Sequence, residues 1–289
     1  MVEVTRPGLR SRTATAVLAA TALLSTGTAA CGIADAGENS VAVKDTLVIG
    51  VNADQPGVGE RTAGGSFAGF DIDIAQEIAG RLGVAPANLT FKQVGYDTRD
   101  KLVQDSDVDL VVASYSITPE RKVNVAFAGP YYVAHQDVLV RAADAAEIRS
   151  IHDLKGRRLC KVAGSVSFPR VHDEQGVAAL PVDAGGYARC LTDLTAGRLD
   201  AVSTDDVILA GLAAKASGSG QKLKIVNAPF TDEPYGVAIR KSDVDGCEAV
   251  NEAITEMYQD GTASRLLRKW FAPAGLKVTT TVPQFEGCV

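Results

Sequence analysis

A helix-turn-strand unit occurs twice in this sequence, and the repetition leaves few folds open. "LVQDSDVDLVVAS" (102–114) and "DLTAGRLDAVSTD" (193–205) both run from a helix end through a short turn into an apolar strand with a polar exit. Aligning Asp109 with Asp200 sets Val103 against Leu194, Val108 against Leu199 and Ser114 against Asp205. Two such units predict two similar α/β halves, and open α/β sheets bind ligands beyond the carboxyl ends of their strands. Ser114 and Asp205 are therefore the first candidate site residues, one from each half.

The rest of the chain follows the same alternation. "TLVIGV" reads as a buried strand, and "GFDIDIAQEIAGRLG" carries Ile74, Ile78 and Leu82 at helical spacing, with Asp71 near its start and Gly83 at its end. "NLTFKQV", "TRDKLVQD", "RRLCKV", "YARCLTDLTAG" and "VILAGLAAKA" continue the series. The 289 residues suffice for two lobes.

The first thirty residues are of another kind. Arg6, Arg10 and Arg12 precede "TATAVLAATALLSTGTAA", which has the charged, apolar and small-residue regions of a secretory signal. Its Thr, Ser and Gly content makes the alternative, a membrane-spanning helix, a weak one. Cys31 directly after "TAA" resembles the lipobox of bacterial lipoproteins, with Thr28 where that pattern prefers Leu; lipidation would tether the chain to the outer face of the cytoplasmic membrane. Without anchoring, a secreted or periplasmic protein is expected. Residues 32–45, "GIADAGENSVAVKD", lack periodicity and read as a linker. Removal of residues 1–30 leaves 26 basic and 34 acidic side chains, a net charge of −8 that speaks against nucleic acid as a partner. The four later cysteines, Cys160, Cys190, Cys247 and Cys288, suggest two disulfides in an exported chain, with three pairings open. Without a CxxC or spaced histidines, no metal is expected.

Enzyme signatures are missing from the sequence: it has no GxSxG, HExxH or Walker A loop, and "GVGERT" has Thr62 where a dinucleotide fingerprint needs glycine. "VVASYSITPERK" (111–122) is more informative. Thr118 suits a helix N-cap, Pro119 the first helical position and Glu120 the first turn. Ser114 and Ser116 then lie where a strand ends, with Arg121 close by, an arrangement that suits a carboxylate. Alternatively the serines cap the helix and Arg121 is solvated.

"GFDIDIAQEIAGRLG", "VDLVVASYSITPERKVNVAFAGPYYVAHQDVLV" and "GRLDAVSTDDVILAGLA" in this order resemble the solute-binding proteins of polar amino acid ABC transporters. "FAGPYYVAHQDVLV" and "DQPGVG" are most similar to the glutamate-binding lipoproteins of Gram-positive bacteria. The resemblance spans the chain from about residue 46 and implies a type II periplasmic-binding-protein fold: two α/β lobes joined by two crossover strands. Lobe 1 would comprise 46–137 and 234–289, and lobe 2 residues 138–233. Sequence proximity and this division pair Cys160 with Cys190 and Cys247 with Cys288.

The resemblance also implies roles. Arg121 would hold an α-carboxylate, with Ser114, Ser116 and, from the loop "KVAGSVSF", Gly164 and Ser165 around it. Asp205 would accept the α-ammonium while Asp206 caps the following helix. Arg99 matches the arginine that contacts a distal carboxylate, and Arg61 is a second candidate. Tyr115 and Phe70 either wall the ligand's aliphatic part or belong to the core. The implied protein is a monomeric receptor without cofactor that delivers glutamate or aspartate to a membrane permease. A sensor subunit signalling to a membrane kinase or regulator, and a lyase or dehydratase on the same fold, are the alternatives.

Overall fold

The computed structural model describes residues 37, 39–276 and 280–288. The signal segment 1–30, Cys31 and the start of the linker lie outside the described residues. In chain order the first lobe comprises β1 (Leu47–Val51), a ribbon of β2 (Asp54–Gln55), β3 (Gly59–Arg61) and β4 (Phe67–Ala68), α1 (Phe70–Arg81), β5 (Leu89–Gln93), α2 (Arg99–Gln104), β6 (Leu110–Val111) and the single turn α3 (Pro119–Lys122). Strand β7 (Ala126–Arg141) crosses to the second lobe, built of β8 (Arg158–Val162), α4 (Ser167–Pro169), β9 (Leu180–Ala184), α5 (Tyr187–Thr195), β10 (Val202–Asp205), α6 (Asp206–Gly218) and β11 (Leu223–Ile225). Strand β12 (Thr231–Ile239) crosses back, followed by α7 (Val244–Gln259) and α8 (Thr262–Phe271).

The repeated unit is realised in three dimensions. In the first lobe β1 pairs in parallel with β5 on one side and β6 on the other. In the second, β8 pairs in parallel with β9 and makes a parallel bridge from Leu159 to Ala201, just before β10. The two aligned aspartates explain why the motif repeats. Asp109 donates its N–H to Val48 O at 2.7 Å and accepts the Val48 N–H on its carboxylate at 2.8 Å. Asp200 does the same to Arg158, at 2.9 and 2.8 Å. Each side chain satisfies a strand-entry N–H that would otherwise lack a partner and so fixes the register of the strand leading to the cleft.

Strands β7 and β12 run antiparallel and carry the sheet from one lobe to the other in the order β10-β7-β12-β6-β1-β5. Beyond Ser114 the chain runs beside β12: the Tyr115 carbonyl accepts from Gly236, and the Ile117 N–H donates to Pro234. Helix α1 buries Ile74, Ala75 and Ile78 beneath α7 and α8, as its spacing predicts. The disulfides join Cys160 to Cys190 and Cys247 to Cys288, with Cα separations of 5.8 and 5.7 Å. Closing loops of 30 and 41 residues stabilises by about 4 kcal/mol each on the chain-entropy model.

The linker expectation needs correction at its C-terminal end. Ser40 and Val41 are buried, the Val41 N–H donates to Asp243 at 2.9 Å, and Lys44 pairs with Asp109. Burial of Val41 and the bonds of Val41 and Lys44 to Asp243 and Asp109 hold this end on the folded body rather than spacing it from an anchor, while Val43 stays exposed. No helix among the described residues is long and apolar enough to cross a membrane.

Candidate functional site

The carboxyl ends of the strands converge on a cavity lined from the first lobe by Gln55, Tyr96, Arg99, Ser114, Ser116 and Arg121. From the second lobe come Ser165, Ser167, Tyr187, Thr204, Asp205 and Ile208. The cavity has room for about one water molecule. The lobes meet around it. Arg121 Nη2 donates to Gly164 O at 2.9 Å, the Tyr96 and Tyr187 rings meet edge-on with centroids 5.7 Å apart, and the Ala188 N–H donates to Asp54 at 3.3 Å. Entry of anything as large as an amino acid therefore requires the lobes to part.

Arg121 is positioned from its own turn. Thr118 Oγ1 accepts the Arg121 N–H at 3.3 Å, as its capping role predicts, and Arg121 Nη1 donates to Ser116 O at 2.7 Å. The helix expected after Thr118 is only the four residues of α3, and the capping threonine already takes the Arg121 N–H. The anion-attracting group here is thus the guanidinium and not a helix terminus. Arg99 opens α2, is 2% exposed, and donates from Nη1 to Ala113 O at 2.9 Å, while its Nε has no partner. Both guanidinium carbons lie over the Tyr115 ring, at 3.6 Å for Arg99 and 4.5 Å for Arg121, so Tyr115 is a cation-π platform that packs edge-on against Phe127. Burial lowers the pKa of Arg99, and burial together with the neighbouring Arg99 pushes Arg121 down to about 9. Both remain cations at neutral pH, and the direction of the shift reflects their need for an anion.

Asp205 is the one acid in the lining among the described residues. Its carboxylate accepts from Tyr235 OH at 2.5 Å and Gln136 Nε2 at 2.8 Å. Burial, and then the nearby Glu233, raise its pKa well above the carboxylate range. Glu233 is itself fully buried and ion-paired with Arg170 at 2.8 Å. Asp206 accepts the backbone N–H groups of Val207 and His135 and stays outside the cavity. Ser165 and Ser167 are both bonded to Tyr187 OH at 2.8 Å.

Four expected site residues are not in the lining: Gly164 adjoins it through its carbonyl on Arg121, Tyr115 lies beneath the two guanidinium groups, and Arg61 and Phe70 are placed elsewhere. Arg61 is exposed on the β3–β4 ribbon, donates to Gly65 O at 3.3 Å and lies over Phe67, because a short polar hairpin turns its side chains to solvent. Phe70 is completely buried in a cluster with Tyr131, Tyr132 and Phe271 and contributes nothing to the cavity wall.

Asp71 escaped sequence reasoning as a site residue. Its fully buried carboxylate accepts the Ser114 N–H at 2.7 Å and Tyr131 OH at 2.8 Å. Ser114 sits at φ 42°, an uncommon left-handed conformation for a residue other than glycine, and the Asp71 contact holds it there. A signal existed: Asp71 lies three residues before Ile74, on the apolar face of α1. Tyr187 and Tyr96 carried none, since only the folded lobes bring them together.

Burial raises Asp71 to about 7 from a usual 3.8, against the pull of Tyr131, Ser114 and Arg99. With the folded pKa above the unfolded one, the native state keeps a proton that the unfolded chain releases above about pH 4. Stability therefore falls as pH rises from about 4 to about 7, by at most on the order of 4 kcal/mol. The Asp71→Asn variant accepts from Ser114 and donates to Tyr131, so it is expected to fold and to lose this slope. Melting temperatures measured between pH 4 and 7 should converge at the acid end and favour the variant near neutrality; parallel curves would refute the shift.

The family model for bacterial extracellular solute-binding proteins, family 3, matches residues 47–273. This chain belongs to that family. Among relatives, the glutamate-binding protein GluB of Corynebacterium glutamicum is 36% identical over 262 residues, covering 87% of this chain and 88% of GluB. The glutamine-binding protein GlnH of Bacillus subtilis is 34% identical, covering 78% of this chain and 81% of GlnH. Among solved structures of similar fold, an ancestral arginine-binding protein bound to arginine is 34% identical with a TM-score of 0.72, over 79% of this chain and 99% of that one. The same kind of ancestral protein has also been solved with glutamine, at a TM-score of 0.71. Relatives of similar identity thus carry differently charged ligands in their names, so the choice of ligand has to be argued from the side chains of this cavity.

Proposed function

We propose that this protein is the extracytoplasmic substrate-binding component of an ABC importer and that it captures an acidic amino acid, glutamate or aspartate, between its lobes. One observation carries the choice: among the described residues the cavity is lined by two guanidinium groups, Arg99 and Arg121, against one acid, Asp205. A zwitterion pairs its α-carboxylate with Arg121 and its ammonium with Asp205. Ser114, Ser116 and Ser165 supply hydrogen bonds to the carboxylate end. Arg99, buried and with an unpartnered Nε, is left to a second carboxylate. A neutral amide would leave that charge uncompensated, and a cationic side chain would be repelled by it. GluB, a glutamate-binding protein by name, supports the same reading.

Residues 46–137 with 234–289, and 138–233, act as the two moving bodies, with β7 and β12 as the hinge. Cys31 carries a lipid that keeps the receptor beside its permease. Calorimetry against the twenty amino acids tests the ligand: glutamate or aspartate is expected to bind, and binding confined to neutral or cationic ligands would defeat the assignment. The Arg99→Met variant, which keeps much of the volume without charge, is expected to lower the affinity ratio of glutamate to glutamine by roughly tenfold to a hundredfold. An unchanged ratio would take Arg99 out of side-chain recognition.

A further inference from the structure

Each crossover strand carries a buried tyrosine whose hydroxyl ends on a carboxylate of the ligand apparatus. Tyr131 on β7 donates to Asp71 at 2.8 Å, and Asp71 accepts the Ser114 N–H at 2.7 Å in the first lobe. Tyr235 on β12 donates to Asp205 in the second lobe at 2.5 Å. The two rings touch, with centroids 5.9 Å apart, and are 1% and 0% exposed. A path of hydrogen bonds and ring packing thus runs from Ser114 through both hinge strands to Asp205. Neither tyrosine lines the cavity, so neither is placed to touch a ligand.

We propose that Tyr235 and Tyr131 are positioning residues, Tyr235 holding Asp205 as an oriented carboxylate for the ligand's ammonium and Tyr131 holding Ser114 in place through Asp71. The proposal rests on the reading of Asp205 as the ammonium acceptor. Its chemistry follows from what surrounds that carboxylate. Glu233 on β12 and Asp206 at the start of α6 disfavour its charge, as does burial, whereas Tyr235 OH and the cation Arg121 on α3 favour it. Gln136 on β7 adds a neutral donor at 2.8 Å. Removal of the phenol hydroxyl therefore leaves a carboxyl group that keeps its proton to higher pH and meets an ammonium less well. The tyrosine belongs to the strand that must bend during closure, so the state of Asp205 is also transmitted to the hinge.

The test is the Tyr235→Phe variant of the full mature protein, with glutamate affinity measured by calorimetry between pH 4.5 and 8. Expected is a loss of roughly tenfold or more at neutral pH, with the acid limb of binding moved upward by about one to two pH units. The Tyr131→Phe variant should lose affinity through Ser114, and because Tyr131 also holds the Asp71 pKa down, any change in its pH profile should vanish in the Tyr131→Phe, Asp71→Asn double variant. Wild-type affinity and pH profile in Tyr235→Phe overturn the proposal, and so does a loss that is equal at every pH, the mark of a structural role alone. The Asp205→Asn variant separates the two readings. Normal binding by it removes the ammonium acceptor and the proposal together, whereas lost binding beside an unaffected Tyr235→Phe removes the proposal only. A measurement on the wild-type protein covers the case in which Tyr235→Phe fails to fold. The Tyr235 hydroxyl proton is expected as a slowly exchanging downfield resonance that moves when glutamate is added, and a resonance unmoved by glutamate overturns the proposal.

Discussion

Replacement of Arg121 by alanine is expected to abolish the thermal stabilisation that glutamate confers on the wild-type protein. A ligand at a hundred times its Kd stabilises by about 2.7 kcal/mol, which in a chain of this size raises the melting temperature by several degrees. Two charge-assisted hydrogen bonds from Arg121 to the α-carboxylate contribute roughly 1.5 to 3 kcal/mol each, so their loss weakens binding by about two to four orders of magnitude. The ligand-free fold should change little, because the Arg121 guanidinium hydrogen-bonds, among the described residues, to the carbonyls of Ser116 and Gly164 and rests on Tyr115, while the backbone bond to Thr118 is kept in the variant. Lysine at 121 supplies a charge without the planar fork and should recover part of the affinity. Melting curves of the variants with and without glutamate decide the matter, and a normal shift in Arg121→Ala would displace that residue from the carboxylate contact.

The second large effect is expected from Gly211→Ala, a substitution at a position outside the cavity lining. Gly211 lies within α6 of the second lobe, facing the turn between β2 and β3 in the first. A methyl group there would stand 1.8 Å from Pro56 O and 2.8 Å from its carbonyl carbon, both backbone atoms. The lobe faces would have to separate by more than 1 Å to reach the 3.0 Å that real Cβ contacts respect. That displacement stretches the 2.9 Å contact from Arg121 to Gly164 out of hydrogen-bonding range. Alanine in a helix interior is favoured over glycine by about 0.5 to 1 kcal/mol, so the ligand-free protein should be as stable as the wild type or slightly more so. Affinity for glutamate should nevertheless fall by roughly tenfold to a hundredfold through the loss of one or two interlobe contacts. Calorimetry, with small-angle scattering before and after glutamate addition, reads both consequences. Wild-type affinity and compaction in the variant would mean that the ligand-bound protein does not use this close approach.

Much of the framework was legible along the chain because its causes are local. The i, i+4 isoleucines of α1, the Thr118 cap and the apolar run of β1 each depend on neighbours a few residues away. The aspartate repeat was readable because the same task, accepting an N–H near the start of the neighbouring parallel strand, is carried out by the same residue at positions 109 and 200. Cysteine count suggested two disulfides, and proximity together with the lobe division that the resemblance implies suggested the pairing that the structure forms.

Arg99 and Arg61 show where such reading stops. Both are arginines in polar surroundings of the sequence, yet one opens a helix against the cavity and the other is exposed on a hairpin. Phe70 and Tyr115 are both buried in hydrophobic clusters, yet only Tyr115 also carries guanidinium groups over its ring. Asp71 is separated from Ser114 by 43 residues, and Asp205 from Tyr235 by 30, so no local pattern could join them. Elements, caps and the two-lobed plan follow from short-range periodicity and backbone hydrogen bonding, which a linear chain displays directly. Which charges face the cleft, and which hydroxyls hold them there, follows from how separately folded surfaces meet, a relation that exists only once the lobes and their crossover strands have packed.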